Sequence, residues 1–111
     1  MQVAPAELEA YLLEHPAVDD CCVIAVPHDR SGETPKAYVV KSKNVGATAD
    51  DKTVARDIRA FVEKEKAPHK WLGGGVEFIE VIPKSPSGKI LRRVLRDQDR
   101  AKRRTGGSAK L

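Results

Sequence analysis

Residues 72–93 read LGGGVEFIEVIPKSPSGKILRR. The triple glycine at 73–75 interrupts any regular element. Residues 76–82, VEFIEVI, are rich in β-branched and aromatic side chains, with Glu77 and Glu80 between them, and read as a strand. Pro83, Ser85, Pro86, Ser87 and Gly88 then form a short turn. From Ile90 on, Ile90, Leu91, Val94 and Leu95 stand among arginines, giving an amphipathic helix that runs to about Arg100 or beyond. A strand, a mobile turn carrying Lys89, and a basic helix thus follow one another, and the rest of the chain has to supply a sheet for them to pack on.

Upstream, residues 5–15 read as a helix. Pro5 suits a first helical position, where its missing N–H is not needed. Glu7 and Glu9 favour the positive N-terminal end, and Leu8, Tyr11 or Leu12, and Leu13 supply an apolar stripe. His15-Pro16 ends the helix, because the residue before proline avoids the α region. Residues 18–26, VDDCCVIAV, predict a buried strand, 27–33 a turn-rich loop, and 37–40, AYVV, a second strand. After a polar loop at 41–48, Asp50 or Thr48 caps a second helix to about Lys66. Val54, Ile58, Phe61 and Val62 line one face of it, and Pro68 closes it. The order α-β-β-α-β-α predicts an α+β domain, a small sheet of about three strands covered by helices.

The chain has 111 residues, 32% charged and 41% hydrophobic, a globular composition sized for one domain. The two cysteines, Cys21 and Cys22, are adjacent. Neighbours on a strand point to opposite faces, so a mutual disulfide is not expected, and no zinc-ligand spacing accompanies them. Two small buried hydrophobes in a reducing compartment is the simplest reading. The longest apolar run, 21–26, falls far short of a membrane span, and no charged-then-apolar N-terminal signal is present. The net charge of +4 is uneven: residues 1–88 hold 11 Lys+Arg against 14 Asp+Glu, and 89–111 hold 9 against 2. The basic character belongs to the C-terminal segment.

Three readings of Lys89 follow. A phosphate-binding P-loop needs GxxxxGK[ST]; here Pro83 occupies the first glycine position and Ile90 lacks the hydroxyl, so that reading is rejected. A basic nucleic-acid or acidic-surface interaction module would use Arg92, Arg93, Arg96, Arg100, Lys102, Arg103 and Arg104 against phosphates. The segment has no aromatic residue on which bases could stack, and a solvated basic helix face explains the same charges. In the third reading, Lys89 is a point charge presented on a loop, able to reach another body's active site and neutralise growing negative charge.

A resemblance separates these readings. QVAPAELEAYLLEHPAV (2–18), VIAVPHDRSGETPKAYVV (23–40), IRAFVEKE (58–65) and LGGGVEFIEVIPKSPSGKILRR (72–93) stand in the order seen in the C-terminal domain of adenylate-forming enzymes. Residues 2–104 resemble this domain of acyl-CoA and aryl-CoA ligases, such as 4-coumarate–CoA ligase, and of luciferase. The resemblance implies a small lid domain, residues 1–104, that moves over a large N-terminal adenylation domain of the same polypeptide. ATP, Mg²⁺ and the carboxylic acid would bind the large domain. The acid would be converted to acyl-AMP and then to a thioester with coenzyme A. Lys89 matches the family lysine that reaches the carboxylate and the α-phosphate during adenylation. Gln2 matches the glutamine that lies near the adenylate, although the residues that precede it in the family are absent here. A luciferase-like monooxygenase would share the lysine.

Residues 105–111 read as a flexible tail, because Gly106, Gly107 and Ser108 form a spacer. Its end, Ala109-Lys110-Leu111, is close to the Ser-Lys-Leu peroxisomal address. A peroxisomal enzyme that meets the import receptor is the expectation, with a cytoplasmic location as the alternative.

Overall fold

A computed structural model describes residues 5–28, 32–43, 50–66 and 70–110, with His28 and 104–110 described by backbone alone. Among these, the elements follow in the order α1 (Pro5–Leu12), β1 (Val18–His28), β2 (Gly32–Lys41), α2 (Asp51–Glu65), β3 (Val76–Phe78) and α3 (Arg92–Lys110). This is the expected α-β-β-α-β-α order. The sheet has the order β1-β2-β3. β1 and β2 form an antiparallel hairpin, and β3 lies parallel to β2. A parallel partner needs a crossover, which α2 provides.

Period-2 alternation divides the sheet residues between two cores. Cys21, Val23, Ala37 and Val39 face α1 and α2, where Leu8, Leu12, Val54, Ile58 and Val62 are buried with them. Cys22, Ile24, Val26 and Tyr38 face the opposite side and pack with Ile82 and Leu95. The two cysteines therefore enter different cores, as their adjacency requires, and both are free thiols. Burial is the first cause that pushes each thiol up to about 12, and the nearby Glu9 carboxylate adds to it. Buried thiols held in this state are inert as nucleophiles.

Element boundaries differ from the expectations in four places. α1 stops at Leu12, three residues early: the next amides bond in a tighter turn, His15 N–H to Leu12 C=O at 3.0 Å, and Leu13 is left 51% exposed instead of joining the stripe. β2 begins at Gly32, well before Ala37, and includes Pro35. The proline is tolerated because its carbonyl, and with it its nitrogen, faces the triple glycine (Gly74 N–H to Pro35 C=O, 2.9 Å), before pairing with β3 begins. β3 is only Val76–Phe78; beyond Ile79 the chain leaves the sheet, exposing Val81 and turning Ile82 inward against Leu95. α3 begins at Arg92 because Ile90 is held in a bridge to Lys84. Its backbone stays helical to Lys110, through two glycines that each disfavour a helix by about 1 kcal/mol relative to alanine.

The triple glycine is a packing requirement as well as a break. A Cβ on Gly74 would lie 2.7 Å from Val26 Cγ2 and 2.8 Å from Lys36 Cβ, so the chain can cross β2 only without a side chain there. On the other face, Tyr11 stacks on Phe61 with ring centroids 4.4 Å apart and donates its hydroxyl to the Phe61 carbonyl at 3.0 Å, fastening α1 to α2. Asp50 caps α2 through its carbonyl (Val54 N–H, 3.0 Å), while its carboxylate takes the Thr53 hydroxyl at 3.3 Å. Thr48 lies outside the described residues. Trp71 is 37% exposed and donates Nε1–H to the Lys66 carbonyl at 2.8 Å, which satisfies the end of α2.

Candidate functional site

The turn carrying Lys89 is a closed hairpin. Lys84 and Ile90 bridge antiparallel, Ser85 N–H donates to the Lys89 carbonyl at 2.8 Å, and Gly88 N–H donates to the Ser85 carbonyl at 2.8 Å. Gly88 has φ +86°. This is the bonding of a type I turn followed by a G1 bulge: Pro86 pre-sets the second turn position, and glycine occupies the left-handed position without a Cβ penalty. The Ser85 hydroxyl accepts from the Lys89 N–H at 3.2 Å and lies 2.9 Å from the Ser87 hydroxyl. The loop is therefore ordered by its own hydrogen bonds, where composition suggested a mobile turn. Lys89 itself is exposed, and its amine has no ion-pair partner among the described residues. The hairpin holds the backbone at Lys89 while its side chain stays available.

Each stem of the hairpin is tied to β1. On the N-terminal side, Lys84 Nζ meets Asp20 Oδ2 at 2.7 Å, while Asp20 Oδ1 accepts the Cys21 N–H at 2.9 Å. On the C-terminal side, Arg92 holds Glu9 with two bonds, Nε to Oε2 at 3.0 Å and Nη2 to Oε1; Glu9 Oε2 also accepts the Val23 N–H at 2.8 Å. Glu9 is 7% exposed. The Arg92 guanidinium is pushed further up by its bonds to Glu9, against the opposing effect of burial. Among the described residues β1 has a neighbour on one side only, so alternate amides face away from the sheet. Two of those, on Cys21 and Val23, are taken by these carboxylates. Glu9 thus has a different role from the helix-dipole partner its position suggests: it is a buried junction between α1, β1 and α3.

A second cluster fixes α3 to the other end of the sheet. Lys36 Nζ lies 2.7 Å from Asp99 Oδ1 and 3.0 Å from Glu77 Oε1, Asp99 Oδ2 accepts Arg103 Nε at 2.6 Å, and Lys102 pairs with Glu77. Burial would push the Asp99 carboxyl up, but Lys36 and Arg103 outweigh it and hold the group below its ordinary value. A cavity of about 280 Å³ opens beside this cluster, lined by Ile24, Ala25, Pro27, Arg96 and Arg100 among others. Arg92, Lys102 and Arg103, expected on a solvated basic face, pair with Glu9, Glu77 and Asp99, while Lys102 and Arg103 stay exposed as expected. No group of three or more His, Cys, Asp or Glu side chains suited to a metal ion occurs among the described residues. No helix among them is long and apolar enough to cross a membrane.

Of the residues singled out from sequence, Lys89 is placed as described. Gln2 and Leu111 lie outside the described residues, and Ala109 and Lys110 are placed only as backbone in α3. The sequence reading missed Glu9, Asp20, Lys36 and Asp99. Periodicity carries no mark of such pairs: the partners Glu9 and Arg92 stand 83 residues apart. The one available signal was Glu9 itself, a charged residue beside Leu8 on the buried stripe of α1.

Comparison with known proteins places this geometry. The family model for the AMP-binding enzyme C-terminal domain matches residues 7–89. The chain is 47% identical over 100 residues to the acyl-CoA ligase lcsD of Purpureocillium lilacinum, covering 90% of this chain and 25% of the relative. It is 45% identical over 101 residues to a 4-coumarate–CoA ligase of Pinus taeda, covering 91% and 17%. The crystal structure of Brucella canis acyl-CoA synthetase superposes with a TM-score of 0.81 at 30% identity, covering 93% of this chain and 18% of that one. The chain thus spans a quarter or less of these relatives. The family model covers well over half of the chain, and the chain belongs to the family of AMP-binding enzyme C-terminal domains.

Proposed function

We propose that this chain acts as the lid domain of an AMP-forming acyl- or aryl-CoA ligase and that Lys89 serves the adenylation step. The observation that carries the reading is the presentation of Lys89: an exposed amine at the end of a closed hairpin, without an ion-pair partner among the described residues. In adenylation a carboxylate oxygen attacks the α-phosphorus of ATP, and pyrophosphate leaves with the electrons of the broken P–O bond. Two anions must approach and charge grows on the phosphoryl oxygens, so an ammonium inserted between them lowers the barrier. In the second step the coenzyme A thiol displaces AMP, which leaves with the electrons of the acyl C–O bond, and Lys89 would contribute little there because its loop would have swung away.

The remaining machinery would come from the large adenylation domain of the same polypeptide, which would hold ATP and the acid. Mg²⁺ would be held there as well. Gln2 would lie near the adenylate. In the enzyme that carries this domain, Lys89→Ala is expected to lower ATP–pyrophosphate exchange about a hundredfold or more, as for loss of one transition-state donor. Thioester formation from supplied acyl-AMP should be largely spared. Equal loss in both half-reactions would refute the role. The basic interaction module is the weaker reading, because Arg92, Lys102 and Arg103 are engaged by acids of the same chain.

The tripeptide Ala109-Lys110-Leu111 motivates the proposal of a peroxisomal location, with the tripeptide read by the import receptor. A fluorescent reporter carrying residues 100–111 should enter peroxisomes and lose that location when Leu111 is deleted. A cytoplasmic signal from the intact tail would refute the address.

A further inference from the structure

Lys89 is useful only if its ammonium arrives at one place, and the hairpin alone does not fix where the hairpin points. That direction is set by the two ion pairs at its stems. Lys84 precedes the turn and Arg92 follows it, with Lys89 between them, and each reaches a carboxylate that is itself fixed on β1. Asp20 accepts the Cys21 amide and holds Lys84 Nζ at 2.7 Å. Glu9 accepts the Val23 amide and holds Arg92 through both carboxylate oxygens. The Cys21 and Val23 amides lie two residues apart on the free edge of the same strand, so both stems are referred to one rigid element. The hydrogen bond from the Leu91 N–H to the Pro83 carbonyl, 2.9 Å, closes the ring between the stems.

We propose that Glu9–Arg92 and Asp20–Lys84 are positioning pairs for Lys89, aligning the hairpin so that the amine reaches the reacting phosphoryl group. The proposal rests on the reading of Lys89 given above. On this proposal the four side chains act through the hairpin and not on the substrate. The two-point hold on Glu9 matters most, because it fixes rotation as well as distance, which a single ammonium cannot do.

The test uses the complete enzyme and measures the two half-reactions separately: ATP–pyrophosphate exchange, and thioester formation from supplied acyl-AMP. Arg92→Lys keeps the charge and loses the two-point hold; it should lower kcat for exchange about tenfold, a fraction of the penalty for misplacing a reacting group by an ångström. Arg92→Gln should lose more, and Lys84→Met, at the more exposed pair, should lose severalfold. KM for ATP and thioester formation should stay at the parent values in all three. Lys89→Ala is run beside them. If Lys89→Ala is selective for exchange while Arg92→Lys and Lys84→Met leave exchange at the parent rate, the positioning proposal is overturned and the role of Lys89 stands. Equal loss in both half-reactions, tracking a fall in folded protein, also overturns it, since a merely structural pair would behave in that way. If Lys89→Ala keeps full exchange, the role of Lys89 falls and the positioning proposal falls with it.

Discussion

The charge cluster beneath α3 gives a sharp stability test. The Asp99 side chain is 6% exposed and lies 2.7 Å from Lys36 Nζ and 2.6 Å from Arg103 Nε; the Lys36 side chain is 11% exposed. Asp99→Asn keeps the volume and removes the charge. Lys36 then remains buried with Glu77, at 3.0 Å, as its remaining carboxylate partner among the described residues. Breaking a buried pair by removing one member costs about 3–5 kcal/mol. The bond to Glu77 survives and offsets part of that, so the expected loss is about 2–3 kcal/mol. For a domain of this size that lowers Tm by about 10 °C. Thermal and denaturant unfolding of the parent chain and variant would measure both. The pH dependence has a definite sign. Because the folded Asp99 carboxyl is held below its ordinary value, its contribution is complete above the ordinary carboxylate range. It disappears as pH falls through the folded value, so parent and variant should converge in acid. The double variant Lys36→Met/Asp99→Leu should recover most of the loss, since an apolar pair of similar volume replaces a buried ion pair at little cost. A loss below about 0.5 kcal/mol for Asp99→Asn, against the several expected of a broken buried pair, would refute the argument. So would a double variant as unstable as the sum of the two singles.

Two further outcomes follow from local geometry. Gly74→Ala places a methyl 2.7 Å from Val26 Cγ2 and 2.8 Å from Lys36 Cβ, and should destabilise the fold by about 1–3 kcal/mol by overpacking; unchanged denaturation midpoints would show that the crossing can relax. Lys70 and Lys66 hold the Glu7 carboxyl down to about 2 through hydrogen bonds. An NMR titration at low salt should find its midpoint there, moving to the ordinary range in the variant Lys66→Ala/Lys70→Ala. The stability that this contact adds is complete above pH 4.5 and lost as pH falls toward 2. An ordinary midpoint in the parent would contradict the contact.

Much of this molecule was legible in the sequence because it rests on local rules. Pro5, Asp50, the Val54-Ile58-Val62 stripe and the apolar run of β1 announce the elements and their order. The adjacency of Cys21 and Cys22 places them in opposite cores, because side chains alternate along a strand. The block order and PKSPSGKILRR marked the family and Lys89. Three things needed the folded chain. β2 is more than twice as long as its apolar run and β3 less than half, because strand ends are set by which neighbour lies alongside, and Pro35 is acceptable only where β3 is absent. The turn at 85–89 is ordered because Gly88 N–H donates to the Ser85 carbonyl and Ser85 N–H to the Lys89 carbonyl, a matter of dihedral angles that composition does not report. Glu9 and Arg92 meet across 83 residues. A charge in the sequence says only that it must be solvated or paired. Which one, and with whom, is decided when the layers pack and a carboxylate on the buried face of α1 finds the guanidinium at the head of α3.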